Sequence, residues 1–314
     1  MSNETPPHDG RDDTTDDVST AVVEHSRRRL TSLAYRMLGS LADAEDVVQE
    51  TYLRWYALSS AEQRAIESPD AWLTTVASRL CLNVLTSARV RRETYVGEWI
   101  PEPVPESAVW TDGRPATAGA DPADRITLDE SINMAFMVVL ESLTPAERVS
   151  FILHDVFCYS FAEVGEVVGR SPGACRQLAS TARRRIRESR ADAPPTPEQA
   201  STIRAFKVAW EAGDIDSLVA LLAPDVVATS DGGGRVNTVL RPIEGVDRIV
   251  SAFVRLKSVF SDLTILERTV NGQPGLIAQR DGVTVSVYAF ELEGGLITHI
   301  WTIRNPEKLR SWLA

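Results

Sequence analysis

Two proline-rich breaks limit what this chain can fold into. Between Glu93 and Pro122 there are five prolines, several glycines and no helical periodicity. Ala193-Pro194-Pro195-Thr196-Pro197 makes the second break. Proline fixes φ and removes a backbone donor, so neither a helix interior nor a central strand runs through such a stretch. The 314 residues must therefore assemble as separate segments, and that length suffices for two or three domains.

The segments differ in period. From about Val22 to Val90 the pattern is helical: Leu30, Leu33, Ala34 and Met37 fall at i, i+3, i+4 and i+7. Gly39-Ser40 ends that run, and a helix with acids in its first turn starts near Asp43. Ser68-Pro69-Asp70 starts another. Helices return from about Asp124 to Arg190. There Thr144-Pro145-Ala146-Glu147 is a capping box with Pro at its first helical position. Phe161–Val168 reads as a short helix stopped by Gly169, and Ser171-Pro172 opens a basic one. Two short helices joined at a glycine, the second basic, form a helix-turn-helix signature. Beyond the second break, helices at about 198–212 and 214–223 precede strand-like segments. RVNTVLRP (235–242) is expected as a strand, 246–260 as a helix, and the rest as an antiparallel meander with glycine turns. This order predicts an α+β domain with helices on one face of a curved sheet.

The formal net charge of −11 speaks against a nucleic-acid partner until its distribution is read. Arg79 to Arg92 holds four arginines and no acid, and Arg176 to Arg190 six arginines and one glutamate. Asp43 to Glu50 holds four acids and no base. Two basic stretches and one acidic stretch suggest two nucleic-acid contacts and one protein contact. The linker between them carries Trp99, Ile100 and Trp110, an apolar cluster that a plain spacer would not need.

Cys81, Cys158 and Cys175 are far apart and form no CxxC pair, which argues against a disulfide framework or a zinc knuckle. The expectation is a cytoplasmic protein without metal or cofactor. No apolar stretch approaches transmembrane length, and no secretory signal opens the chain. The polar, acidic residues 1–20 are expected to be disordered.

The ordered motifs resemble the extracytoplasmic-function sigma factors. Leu33-Ala34-Tyr35-Arg36 with the Asp43–Glu50 run is similar to the family's core-polymerase-binding segment. Ala71-Trp72-Leu73 through Arg92 is similar to the helix that recognises and melts the −10 element. Leu143–Arg148 and the helix-turn-helix are similar to the domain that reads the −35 element. Trp99-Ile100-Pro101-Glu102-Pro103, Asp231-Gly232-Gly233-Gly234-Arg235 and Asn305-Pro306-Glu307-Lys308-Leu309 resemble signatures of the sigma J-like subgroup, which carries a SnoaL-like (NTF2-like) C-terminal extension. Ile100 stands where that subgroup usually has Leu.

The resemblance implies an all-α region 2 domain (21–92), a linker (93–123), an all-α region 4 helix-turn-helix domain (124–190), a second linker (191–197) and an α+β SnoaL-like cone (198–314). It implies core RNA polymerase and promoter DNA as partners, no membrane, and no catalytic role. Asp43, Asp46, Gln49 and Glu50 would meet the coiled coil of the polymerase clamp, since carboxylates suit an arginine-bearing partner. Arg79, Arg89, Arg91 and Arg92 would hold phosphates at the −10 element. Trp72 and Asn83 are suited to unstacked bases, although Trp72 early in an amphipathic helix also reads as core. Arg176 and Gln177 would read −35 base edges, with Ser171, Arg183 and Arg184 toward phosphates.

Trp99, Pro101, Glu102 and Pro103 of the linker are expected to meet Asp231, Gly232, Gly233, Gly234 and Arg235 of the tail, together with Asn305, Pro306 and Lys308. Such a contact would bias the spacing of the two DNA readers and replace a separate anti-sigma factor. Two other readings stand beside this one. A ligand-sensing helix-turn-helix regulator would have no use for the acidic face. A tail enzyme, a cyclase or isomerase, would draw on Asp231, Arg235, His299 and Trp301; an unnamed small ligand for the tail is left open.

Overall fold

The computed structural model describes residues 13–93, 95–106, 130–189, 197–259 and 262–313. Four helices come first: α1 (Asp13–Leu38), α2 (Leu41–Tyr56), α3 (Ser60–Ala65) and α4 (Pro69–Glu93). Ser40 caps α2 by accepting from the Asp43 amide, and Ser59 closes a capping box with Glu62. One expectation is corrected here. Residues 13–20, placed in a disordered tail, belong to α1. Residues 1–12 lie outside the described residues.

The second helical group is α5 (Met134–Glu141), α6 (Pro145–Phe151), α7 (Phe161–Val168) and α8 (Pro172–Ser189). A π-helical turn, Ile152–Val156, follows α6. Thr144 closes the expected capping box on Glu147, and Ser160 closes another on Glu163. Gly169 ends α7 in the left-handed region. The turn brings the Arg170 carbonyl so close to Gly165 that a Cβ there would lie 2.7 Å from it.

The two helical groups share one apolar core. Leu30, Leu33, Met37, Val47, Leu73 and Cys81 of the first join Phe136, Leu140, Phe151, Val164 and Ile186 of the second, with Val104 of the linker between them. Buried arginines pin the seam. Arg36 donates through Nε to Ser131 at 2.6 Å, and its guanidinium stands 5.8 Å from the Phe157 ring centroid. Arg148 donates to the Met37 carbonyl at 3.0 Å and to Glu141 at 2.7 Å.

The C-terminal part comprises α9 (Pro197–Ala212), α10 (Ile215–Leu221), β1 (Leu222–Asp231), β2 (Ile243–Glu244), α11 (Val246–Val259), β3 (Thr264–Val270), β4 (Gln273–Arg280), β5 (Val283–Glu293) and β6 (Leu296–Ile303). The sheet order is β2-β1-β6-β5-β4-β3. β1 runs parallel to β6, and the other neighbours are antiparallel. Residues 235–242, expected as a strand, form a loop. The Arg235 amide bonds back to the Gly232 carbonyl at 3.0 Å, and Arg304 takes the Asn237 carbonyl at 2.8 Å. Those groups are therefore not offered to a ladder.

Both faces of the sheet are covered. On one, Phe206, Trp210 and Phe253 from the helices meet Tyr288 and Phe290 in mostly edge-on contacts. On the other, Ile277, Val287, Ala289, Trp301 and Ile303 pack on Ile100 of the linker, Met134 of α5, Leu309 and Trp312. The tail is thus joined to the helical part through an apolar face, not tethered beside it.

Candidate nucleic-acid interfaces and the interdomain hub

On α2, Asp46 and Gln49 are exposed and Asp43 and Glu50 partly so, all on one side of the helix. Glu50 holds Arg54 at 2.8 Å. The start of this helix is gripped from the linker, because the buried Glu102 carboxylate accepts the Leu41 amide at 2.8 Å. Burial pushes the Glu102 pKa up to about 7, against the opposing pull of the Leu41 and Ala42 amides and Lys308.

On α4, Trp72 is half-buried and stands edge-on to Trp55, with centroids 5.3 Å apart. Arg79 is exposed and donates to the Glu166 carbonyl of α7 at 2.8 Å. Asn83 is exposed one turn further on. Arg89, Arg91 and Arg92 continue the helix, and their side chains lie outside the described residues. Trp110 lies outside them as well.

In the helix-turn-helix, Ser171 accepts the Ala174 amide at 3.3 Å and so starts α8. Arg176, Gln177 and Arg184 are exposed. Arg183 pairs with the buried Asp155 at 2.6 Å, which gives it a packing task. Arg185, read with Arg183 and Arg184 as a basic run that adds affinity for DNA, pairs with Glu147 at 3.1 Å.

The tail motifs converge on Asp231, which is fully buried. One of its oxygens accepts the Tyr95 hydroxyl at 2.6 Å and the Gly233 amide at 3.0 Å. The other accepts the Ile100 amide at 3.1 Å and the Lys308 ammonium at 2.7 Å. Lys308 also donates to the Ile100 carbonyl, and its Nζ stands 4.0 Å from the Trp99 ring centroid. Asn305 donates to Tyr95 at 2.9 Å and accepts the Glu307 amide at 3.0 Å. Gly233 turns at φ 59 directly against the Asn305 side chain. Arg235 pairs with Glu307 at 2.8 Å on the surface, Gly234 packs on Val96, and the Gly232 carbonyl closes the turn. Pro101 and Pro103 are buried and Pro306 is exposed; the Pro103 carbonyl accepts Trp312 Nε1 at 2.9 Å.

Sequence reasoning missed Asn271 and its partners. Asn271, at the β3–β4 turn, accepts the Val104 amide at 3.0 Å. It also donates to the Tyr35 hydroxyl at 2.9 Å and the Ile132 carbonyl at 2.8 Å. Tyr35 donates in turn to the Glu102 carbonyl at 2.7 Å. One turn of the tail thus touches the linker and both helical groups. The available signal was Asn271-Gly272, a hairpin-turn pair, but it does not disclose that the turn is buried.

The groups considered for a tail enzyme are engaged elsewhere. Asp231 is occupied as described, while His299 stands 3.0 Å from Glu291 and stacks beside Trp301. A surface hollow of about 390 Å³ lies between α10 and α11 and is lined by none of these residues. Among the described residues no cluster of His, Cys, Asp and Glu could hold a metal, and no helix is long and apolar enough to cross a membrane.

Two family models match the helical part: Sigma-70 region 2 over residues 22–91, and Sigma-70, region 4 over residues 133–186. The chain is 39% identical over 304 residues to the ECF RNA polymerase sigma factor SigJ of Mycobacterium tuberculosis, covering 93% of each. The chain belongs to the ECF RNA polymerase sigma factors. This sigma factor is also 37% identical over 295 residues to the probable ECF RNA polymerase sigma factor SigI of the same species, covering 94% of this chain and 95% of that one. The crystal structure of Mycobacterium tuberculosis SigJ matches with a TM-score of 0.70 at 37% identity, over 93% of this chain and 98% of that one. The sigma factor carries region 2 and region 4 helices followed by an α+β domain. Sigma factors bind core RNA polymerase and promoter DNA and are regulators of transcription.

Proposed function

We propose that this sigma factor is held closed by its own C-terminal domain, which takes the place of a separate anti-sigma factor in the cytoplasm. The observation that carries this reading is the grip of Asp231 and Lys308 on the backbone of Ile100. It fixes the linker that must lengthen if α4 and α8 are to reach two promoter elements at once. The Arg79–Glu166 bond adds to it, since it engages a −10 candidate with the helix-turn-helix.

In the open state, Asp43, Asp46, Gln49 and Glu50 bind the clamp coiled coil. Arg79, Asn83, Arg89, Arg91 and Arg92 act at the −10 element, with Trp72 stacked behind them. Ser171, Arg176, Gln177 and Arg184 act at the −35 element, and Arg183 braces α8. The functional divisions are 13–92, 93–123, 124–190 and 198–314, with 191–197 as a joint. The aromatic filling between sheet and helices supports a regulatory tail over an enzyme. A small ligand that loosens the hub would act as inducer.

The test is in vitro transcription with bacterial core polymerase on fragmented genomic template, with transcript 5′ ends mapped. Full-length protein is compared with Trp99→Ala, Lys308→Met and a truncation ending near Thr196. Shared −35 and −10 elements upstream of the starts, with higher output from the hub variants, is the expected result. Equal output from every form refutes closure by the tail.

A further inference from the structure

Beyond the groups assigned above, we propose that Phe161 and His154 are positioning residues that aim Arg176 at a guanine of the −35 element. This rests on the reading of α8 as the −35 helix. The Ser160–Glu163 capping box fixes the start of α7 and leaves Phe161 in its first turn, half-buried. One side of the Phe161 ring lies on the His154 imidazole, with centroids 3.8 Å apart and planes inclined by 25°. His154 Nδ1 is hydrogen-bonded to the Tyr159 carbonyl at 2.7 Å, so the lower ring is itself held. The Arg176 guanidinium carbon stands 5.3 Å from the Phe161 centroid. The result is a ladder of three side chains running from the π-helical turn through α7 to α8.

The chemistry of the top rung suits base reading. Arginine pairs with guanine O6 and N7 through a planar fork, and that contact discriminates only when the fork is aimed. A free surface arginine must lose its rotamer freedom on binding, whereas one already resting on a ring loses less. Arg176 is exposed, so stacking on Phe161 leaves N–H edges open to a base. Arg183 and Arg185 on the same helix are paired with Asp155 and Glu147 and serve a different purpose.

The experiment uses holoenzyme of the full chain with core polymerase, on a promoter mapped from genomic template and substituted at each −35 base pair in turn. Arg176→Ala is expected to relax discrimination at one G·C pair by on the order of ten- to a hundredfold. Phe161→Leu is expected to relax the same pair by about two- to fivefold and to leave the other positions unchanged, with Phe161→Tyr restoring it. If Phe161→Leu is poorly folded, His154→Gln removes the lower ring while keeping a donor for the Tyr159 carbonyl, and it is read at the same base pair. Should Arg176→Ala relax a pair while Phe161→Leu and His154→Gln shift all positions equally or none, the ladder is packing and the proposal falls. Should Arg176→Ala relax no −35 position, the reading of α8 falls and takes the proposal with it.

Discussion

Replacing Asp231 by Asn keeps the shape of the hub and removes its charge. The Asn oxygen can still accept from Tyr95 and Gly233, but its amide then faces the Ile100 N–H and the Lys308 ammonium. Donor meets donor at both, and Lys308 stays buried with its carboxylate gone. Removing one partner of a buried ion pair costs about 3–5 kcal/mol. That corresponds to roughly two to four orders of magnitude in the equilibrium between held and released linker. Hydrogen exchange at the Ile100 amide is the direct assay, because that N–H donates to Asp231 itself. Faster exchange by about a hundredfold or more is expected, with partial recovery in Asp231→Asn/Lys308→Met, where neither charge is left buried. Exchange at Ile100 within about threefold of the parent would refute the argument, because a dispensable carboxylate would then leave the linker docked.

Three further outcomes follow from the same geometry. The Glu102 pKa is raised from 4.5 to about 7, so its contribution to docking is greatest below about 4.5 and is lost as pH rises through 7. Protease cleavage of the linker should therefore accelerate from pH 5 to pH 8, and Glu102→Gln should flatten that profile. Gly165→Ala places a Cβ 2.7 Å from the Arg170 carbonyl, and it should destabilise the helix-turn-helix by about 1–3 kcal/mol, measured by urea unfolding. Charge reversal at Asp46 and Glu50 together should abolish binding to core polymerase in a fluorescence anisotropy titration, while circular dichroism stays unchanged.

The parts of the fold carried by local chemistry were legible in the sequence. The Thr144 cap, the Gly169 stop and the basic second helix give the helix-turn-helix without tertiary information. The apolar residues of the linker announced a docking partner, and Ile100 does pack against the sheet. What was not legible depends on burial of polar types. Arg36, Arg148 and Arg183 belong to a residue class read as surface, and only the fold shows what they hold. Asn271 looks like an exposed hairpin tip until a second segment closes over it. The 235–242 segment has the β-formers Val236, Thr238 and Val239, but Arg304 captures the carbonyl of Asn237.

The clasp on Ile100 is built from residues made late in synthesis. Asp231 follows Ile100 by 131 positions and Lys308 by 208. At roughly 5–20 residues per second, the ribosome adds Lys308 about 10–40 s after Ile100. Region 2 and region 4 therefore exist for part of every chain's birth without the clasp. Under the closure proposed for the tail, a polymerase near the ribosome would meet an unrestrained initiation factor in that interval, and the order of residues along the chain would set its length.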